Sequence, residues 1–339
     1  MPTLALRTAP SGLQAGAPRT VLSPVAECAS LVADDLAAAE AALPGFVAAA
    51  VPAVTDIAGY LVGAGGKRLR PLLTALGARA VGHHGPITRL MCAGEVLHLG
   101  SLLHDDVVDD GQERRGQPAA HRVYGNAGAI LAGDFCLAQA VLLAGEEGGA
   151  KATVELARVV THMAEGEVLQ LLHRGDLSLS RDTYFDIIDR KSAALIAWCA
   201  AAGAMAAGDA RAAAALERFG RGVGVAFQIT DDVLDYTGHA ALLGKQPGQD
   251  LAERKLTLPL LLAFERVPGL RTELGAGPPR PERLPALLEA VVGSGAAAAA
   301  LDEARRRVED GVAALAAIPE GPHRDGLVRL AWHLVERVS

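Results

Sequence analysis

The sequence predicts an all-α protein, and three observations carry that prediction. Half of the 339 residues are hydrophobic but only 4% are aromatic, and the Ala/Leu-rich runs favour helix over strand. The 38 glycines and 18 prolines fall mostly between runs of helical spacing. No stretch alternates apolar and polar residues over the length of a strand. A single helical domain over 25–339, preceded by a tail at 1–24, is the economical organisation, and no repeat of solenoid period is present.

The elements follow in order. Residues 1–24 carry Arg7, Arg19 and four prolines, with no acidic residue before Glu27 and no compact apolar core. They are expected to form a disordered tail. The helical period runs from Pro24 to Ala42 and resumes after Pro44, where proline should break it. Gly63 to Gly66 interrupts the next helix, and Pro71 marks the opening of another, which runs to Val81. Gly82, Gly85 and Pro86 make a loop, and a long helix spans Ile87 to about Asp110. Gly111 to Gly128 is polar and reads as a loop with a short helix. Further helices are expected over 129–145, 151–173, 182–207, 211–237 and 257–266. The polar segment Gly238 to Lys255 between the last two is long enough for a functional loop. After the Pro/Gly-rich connection 268–285, helices 286–292, 296–317 and 323–337 complete the chain.

Bulk properties exclude several classes of function. A formal net charge of −7 argues against a nucleic-acid binder, which would present a basic face. Cys28, Cys92, Cys136 and Cys199 stand alone, so neither a disulfide framework nor a zinc site is expected, and free thiols point to a reducing, cytoplasmic setting. The uncharged stretch Ser192 to Gly208 is too short and too rich in Ala and Gly to cross a bilayer. No transmembrane segment is predicted.

Two aspartate clusters share one spacing: Asp105, Asp106 and Asp109, followed by Asp110, and then Asp231, Asp232 and Asp235. On a helix, positions i and i+4 stack two carboxylates on one face with the third beside them. Like charges stacked in this way destabilise a helix unless a cation neutralises them. Each cluster sits in apolar sequence, where unpaired carboxylates are costly. Oxygen-only ligands select a hard cation, and magnesium is usual where phosphates complete its shell.

Magnesium between carboxylates implies a diphosphate, so cations should be near. Gly65-Gly66-Lys67-Arg68-Leu69-Arg70-Pro71 places three cations at a glycine-bearing helix start, where free backbone donors favour anions. Arg114 and Arg115 follow the first cluster, and Lys191, Lys245 and Lys255 lie near apolar or glycine-rich sequence. Arg68, Arg79 and Arg122 are read as surface charge. His98, Gln170, Ser192, Gln228 and Thr230 lie on helices feeding the same region. His98 shares the face of Asp105, whereas His104 projects elsewhere.

Taken together, these strings resemble the trans-isoprenyl diphosphate synthases. The match comprises Gly65 to Pro71, His104 to Asp110, Arg114-Arg115-Gly116, Gly125-Asn126-Ala127 and Gly133-Asp134 in the first half. It continues with Gly166-Glu167, Lys191-Ser192, Gln228 to Asp235, Gly244-Lys245 and Gly248 to Pro259. It extends in correct order from about residue 30 to the C-terminus with no motif broken; Ser192 stands where threonine is commoner but keeps the hydroxyl.

The resemblance implies an all-α bundle of the isoprenoid synthase type with a central active-site cavity. It implies a prenyltransferase that condenses isopentenyl diphosphate with an allylic diphosphate, using three magnesium ions. Asp105, Asp109 and Asp231 would ligate metal, with Asp106, Asp232 and Asp235 in support, directly or through water. Arg114, Lys191, Ser192, Gln228, Lys245 and Lys255 would hold the allylic diphosphate. Gly66, Lys67, Arg70, His98 and Arg115 would hold isopentenyl diphosphate. A homodimer and a transient membrane contact for product release are also expected.

Alternative activities are a class I terpene cyclase, which needs no second diphosphate site, and a non-catalytic partner subunit, which would lose an aspartate cluster. For product length, the residues before Asp105 would line the shaft that houses the growing tail. Gly100 and Ser101 stand where, in the family this sequence resembles, aromatic side chains close the shaft and give short products, and Leu97 is at most a moderate obstruction. Phe135 is the candidate floor. A product longer than C20 is expected, with geranylgeranyl diphosphate as the alternative.

Overall fold

The computed structural model describes residues 23–63, 65–66, 68–238 and 247–336. Only the last two positions of the expected tail fall among them, and they belong to the domain: the Ser23 hydroxyl caps α1 (Pro24–Ser30) by accepting from the Ala26 amide at 3.3 Å. The remainder of the tail lies outside the described residues. α2 (Ala33–Phe46) passes through Pro44 instead of breaking there. The hydrogen bond lost to the missing proline N–H falls in the last turn, where little helix remains to be disrupted.

α3 (Pro52–Gly63), α4 (Leu69–Ala80) and α5 (Thr88–Val108) follow, with Pro71 in the first turn of α4. The polar stretch after α5 folds as a tight antiparallel hairpin, β1 (Glu113–Arg114) and β2 (Gln117–Pro118). Helix resumes at Ala120 as α6 (Ala120–Leu172), which non-helical Gly125 (φ 79°) and Gly149 (φ 66°) divide into three segments. The helices expected at 129–145 and 151–173 are the second and third of these.

The stretch read as one helix over 182–207 is α7 (Arg181–Ile188), a π-helical turn (Asp189–Ala193) and α8 (Ala194–Ala206). α9 (Ala210–Thr237) agrees with the periodicity. α10 (Gln249–Ala252), α11 (Leu258–Arg266), α12 (Leu270–Gly275), α13 (Leu284–Gly293), α14 (Ala296–Ala314) and α15 (Pro322–Glu336) complete the described chain. α10 and α12 lie in segments expected to be connections, because helices of four and six residues carry too little periodicity to be read.

α5 packs against α6, α4, α2 and α8. α8 is buried nearly all round, and its Trp198 indole N–H donates to the Ala152 carbonyl of α6 at 3.0 Å. α9 packs on α8, the π-turn and α14. The two aspartate-bearing helices, α5 and α9, are thus held in one bundle by their common neighbour α8. α6 is long and apolar enough by composition to cross a membrane, but its glycine breaks and its packing on α5, α8 and α3 make it a bundle helix here.

Candidate active site

The first aspartate cluster closes α5. Asp105 is partly exposed, and Asp109, one turn on, is exposed and accepts from Arg174 Nη2 at 2.6 Å. Asp106 points the other way and is fully buried. Its Oδ1 accepts from Arg114 Nε at 2.9 Å and Nη2 at 2.6 Å. Asp106 is thus turned away from the accessible carboxylates, and Arg114 is anchored by it. Burial raises the Asp105 pKa against the pull of Lys191, and Glu167 and Asp109 add to the rise.

The second cluster divides in the same way. Asp231 is partly exposed, whereas Asp232 and Asp235 are 3% and 1% exposed. Asp232 Oδ2 accepts from the Tyr184 hydroxyl at 2.6 Å, and its Oδ1 accepts from Gln228 Nε2 at 3.1 Å. Asp235 Oδ2 accepts from the Asp250 amide at 2.9 Å, tying the end of α9 to α10. Asp235 is therefore buried against the segment that α10 opens. Each cluster presents its first carboxylate outward and turns its second into the bundle.

The cations fall into two groups. Arg70, His98, Arg115 and Gly66 come together at the start of α4 and the middle of α5. Arg115 donates to the Gly65 carbonyl, and a Cβ on Gly66 would lie 3.3 Å from its guanidinium. Burial lowers the Arg70 pKa, with Glu95 opposing. Burial, then Arg70, Arg115 and Arg114, pushes His98 well below the usual histidine value, so its imidazole is neutral among cations. The second group surrounds the π-turn. Lys191 pairs with Glu167 of α6, and the Ser192 hydroxyl donates to Gln228 Oε1 at 3.0 Å. Lys255 lies 3.4 Å from Asp250. Burial alone would lower the Lys255 pKa, but Asp250, Asp232 and Asp235 outweigh it and hold the ammonium charged. Lys67 and Lys245 lie outside the described residues.

Backbone geometry at the site departs from the ordinary. Among the described residues, the non-glycine positions with positive φ are Arg68, Asp110, Arg115 and Arg254. Asp110 and Arg115 follow α5, Arg68 pairs with Glu95 of α5 and Arg254 bonds the Gly175 carbonyl, and such conformations cost about 1–3 kcal/mol each unless their surroundings impose them. The π-turn carries Lys191 and Ser192, and π-bulges concentrate at functional positions. It can approach α6 because residue 166 is glycine: a Cβ there would lie 2.8 Å from both Arg190 Cβ and the Lys191 amide nitrogen.

Two arginines read as surface charge are structural. Arg68 is clamped between Glu40 and Glu95, and Arg79 pairs with Asp35 and the carbonyls of His83 and Gly85. Arg122 fits that reading better, pairing with exposed Asp110. His104 bonds the Ile130 carbonyl and Asp134 across to α6, away from the aspartates as expected. Sequence reasoning missed Glu95, Arg174, Tyr184 and Asp250. Glu95 lies one turn before His98 on α5 and was open to the same face argument. Tyr184 sits before a π-turn that no periodicity reveals, and nothing in the sequence marks Arg174.

The accessible carboxylates, exposed Asp109 and partly exposed Asp105 and Asp231, present oxygen donors from two helices. Among the described residues, no three His, Cys, Asp or Glu side chains already converge as a metal cage. An oxygen-only set that stops short of a closed cage suits a hard cation whose shell is completed by phosphate and water. The raised Asp105 pKa fits the same view, because its charge lacks full compensation within the protein.

The chain-length positions are placed less simply. Leu97 is fully buried and Phe135 partly buried. A Cβ on Gly100 would lie 3.0 Å from Cys136 Cβ and 3.0 Å from the Gly133 carbonyl oxygen. Gly100 therefore faces α6 in a close helix contact and not an open shaft. Ser101 is partly exposed, and its hydroxyl donates back to the His98 carbonyl at 2.9 Å. A separate cavity of about 390 Å³, lined by Leu36, Leu43, Cys92, Arg68 and Glu95, lies behind the arginine group.

Comparison with known proteins points to one family. The polyprenyl synthetase family model matches residues 51–289. The chain is 36% identical over 318 residues to octaprenyl diphosphate synthase of Escherichia coli, covering 91% of this chain and 97% of that one. Among solved structures, a polyprenyl synthase from Caulobacter crescentus, crystallised with calcium and isoprenyl diphosphate, superposes with a TM-score of 0.88. It is 40% identical, with 95% of this chain and all of that one covered. A decaprenyl diphosphate synthase from Rhodobacter capsulatus superposes with a TM-score of 0.87 at 34% identity, covering 93% of this chain and all of that one.

Proposed function

The chain belongs to the polyprenyl synthetase family, and on that premise we propose that it condenses isopentenyl diphosphate with an allylic diphosphate to give a trans-polyprenyl diphosphate longer than C20. The observation that carries this reading is the division of the site. One accessible carboxylate pair on α5 and one partly exposed carboxylate on α9 stand with two separate cationic groups, as two diphosphates of different fate require.

Asp105, Asp109 and Asp231 would hold magnesium, three ions per site with substrate bound, and the metal would supply charge stabilisation for the departing diphosphate. Lys191, Ser192, Gln228 and Lys255, with Arg114 and Lys245, orient the allylic diphosphate so that its C1–O bond breaks toward these cations. The bonding electrons leave with the diphosphate, whose growing charge Lys191 and Lys255 offset electrostatically. Arg70, Arg115, Gly66 and Lys67, beside neutral His98, fix isopentenyl diphosphate so that its double bond attacks the allylic carbon. The new carbon–carbon bond leaves a cation that loses a proton to the released diphosphate, restoring an allylic diphosphate one C5 unit longer. The apolar walls of α5 and α6 keep water from the cation.

The two intact clusters and the second cationic group speak against a terpene cyclase and a non-catalytic subunit. The octaprenyl and decaprenyl activities of the relatives favour a long product over geranylgeranyl diphosphate. The catalytic domain occupies 25–339. A homodimer is supported by an exposed apolar stripe on α6, with Val123, Ile130, Leu131 and Leu142 each more than 40% exposed. A cytoplasmic setting and a transient membrane contact for product release complete the proposal. The test is incubation with radiolabelled isopentenyl diphosphate and an allylic diphosphate, followed by chromatography of the dephosphorylated products. Label in chains beyond C20 is expected. Absence of incorporation excludes the reaction, and products ending at C20 make the enzyme a geranylgeranyl diphosphate synthase.

A further inference from the structure

Aspartate in the second place of a metal-binding cluster is naturally taken for a metal ligand or its water-linked neighbour. At position 232 both carboxylate oxygens are already occupied by protein donors. Oδ2 accepts from the Tyr184 hydroxyl at 2.6 Å and Oδ1 accepts from Gln228 Nε2 at 3.1 Å. Both Asp232 and Tyr184 are 3% exposed. Because Oδ1 accepts from Gln228 Nε2, the Gln228 amide stands with its NH₂ toward Asp232 and its Oε1 away from it. That oxygen in turn accepts from the Ser192 hydroxyl at 3.0 Å, and Ser192 lies in the π-turn beside Lys191. The chain of contacts therefore links α7, α9 and the π-turn in a single directional order.

We propose that Asp232 is a positioning residue and not a metal ligand: gripped by Tyr184, it orients the Gln228 amide and, through Ser192, the turn that presents Lys191 to the allylic diphosphate. The inference rests on the proposed allylic role of Lys191 and Gln228. Tyr184 carries no expected role in the sequence, and the geometry makes it the anchor of this relay. Its ring stays packed edge-on against Phe185, with centroids 5.3 Å apart, so removing the hydroxyl alone leaves the packing in place. A network of this kind acts as a unit, because each member constrains the hydrogen-bond direction of the next.

The test uses the full chain and four variants: Tyr184→Phe, Asp232→Asn, Asp231→Asn and Lys191→Ala. Steady-state kinetics with a C15 allylic diphosphate and isopentenyl diphosphate are paired with Mn²⁺ titration in the presence of inorganic diphosphate, read by electron paramagnetic resonance. Tyr184→Phe should raise KM for the allylic substrate about tenfold, the loss expected for one hydrogen bond to a charged group, and leave KM for isopentenyl diphosphate unmoved. Asp232→Asn should keep Mn²⁺ affinity within about threefold, less than the loss of a charge-assisted contact, whereas Asp231→Asn loses it. Equal losses of Mn²⁺ affinity in the two aspartate variants would overturn the proposal. So would a Tyr184→Phe enzyme whose two KM values are unchanged or shift together. If Lys191→Ala leaves the allylic KM unchanged, the assignment of the allylic site itself fails, an outcome that the metal titration separates from failure of the relay.

Discussion

Arg174, just past the end of α6, donates through Nη2 to Asp109 Oδ1 at 2.6 Å, and so engages the last carboxylate of the first cluster. The pair is exposed on both sides, at 56% and 42%, and pairs of this kind contribute about 0–1 kcal/mol. A metal ion reaching Asp109 competes with Arg174 for the same carboxylate. Arg174→Ala should therefore tighten Mn²⁺ binding a few-fold at low ionic strength, and the difference should shrink as salt is added. A variant that binds Mn²⁺ more weakly would show that Arg174 serves the bound state and does not compete with the metal.

The partly exposed aspartates and the fully buried ones should behave differently on substitution. Asp105→Ala and Asp231→Ala remove proposed metal ligands and should lower turnover by several orders of magnitude without unfolding the protein. Asp105→Ala should raise the metal-free melting temperature, because burial and the neighbouring Asp109 and Glu167 disfavour the Asp105 charge in the fold. Asp106→Ala should do the reverse, leaving the partly exposed Arg114 without its partner and destabilising the fold by about 1–3 kcal/mol. Thermal melts with and without Mg²⁺ check both signs. A stabilised Asp106→Ala protein would refute the anchoring of Arg114.

The sequence was legible wherever spacing encodes geometry, and illegible where tertiary contact decides. The helical period located α5 and α9 within a residue or two, and the i, i+4 rule placed Asp105 and Asp109 on one exposed face. The same rule gave no means of seeing that Asp106 and Asp232 turn inward, because the partners that hold them, Arg114 and Tyr184, are chosen by the hairpin and by α7. The π-turn was invisible for a related reason: its one-residue excess is paid for by contact with α6 at Gly166, not by any local signal. Arg68 and Arg79 were misread because burial of a charge depends on acids distant in sequence, Glu40 and Glu95 for one and Asp35 for the other.

His98 gives a pH-dependent prediction. Burial, with Arg70, Arg115 and Arg114 adding to it, lowers its folded pKa well below 6.5. Between that lowered value and the unfolded value, the unfolded chain binds the proton and the native protein does not, so stability rises with pH and falls as the solution is acidified below about 6.5. His98→Gln should remove this contribution, and its melting temperature should fall less than that of the parent from pH 7 to pH 5. Imidazole chemical shifts give a direct check, with His98 remaining neutral at pH 6. Bound diphosphate would neutralise Arg70 and Arg115 and so raise the His98 pKa. A His98 that titrates at or above 6.5 in the free protein contradicts the assigned cluster.

Product length depends on which side of α5 the growing tail follows, and the geometry at Gly100 alters the experiment that reads it. A side chain at Gly100 meets Cys136 Cβ and the Gly133 carbonyl at 3.0 Å. Backbone cannot yield there without separating α5 from α6, and overpacking of this kind costs about 1–3 kcal/mol or more. Gly100→Phe should therefore chiefly lower the melting temperature, and a shortened product from that variant would be uninformative by itself. Ser101, the next residue on α5 and partly exposed, does not share that direction, since successive residues on a helix are rotated by about 100°. Ser101→Phe should keep the fold and shorten the product, the ring filling space the tail would otherwise occupy. Phe135→Ala removes the proposed floor and should lengthen the product or broaden its distribution. Chromatography of dephosphorylated products, with melting temperatures measured in parallel, distinguishes the effects. A stable, active Ser101→Phe enzyme with an unchanged product spectrum would place the tail away from this face of α5.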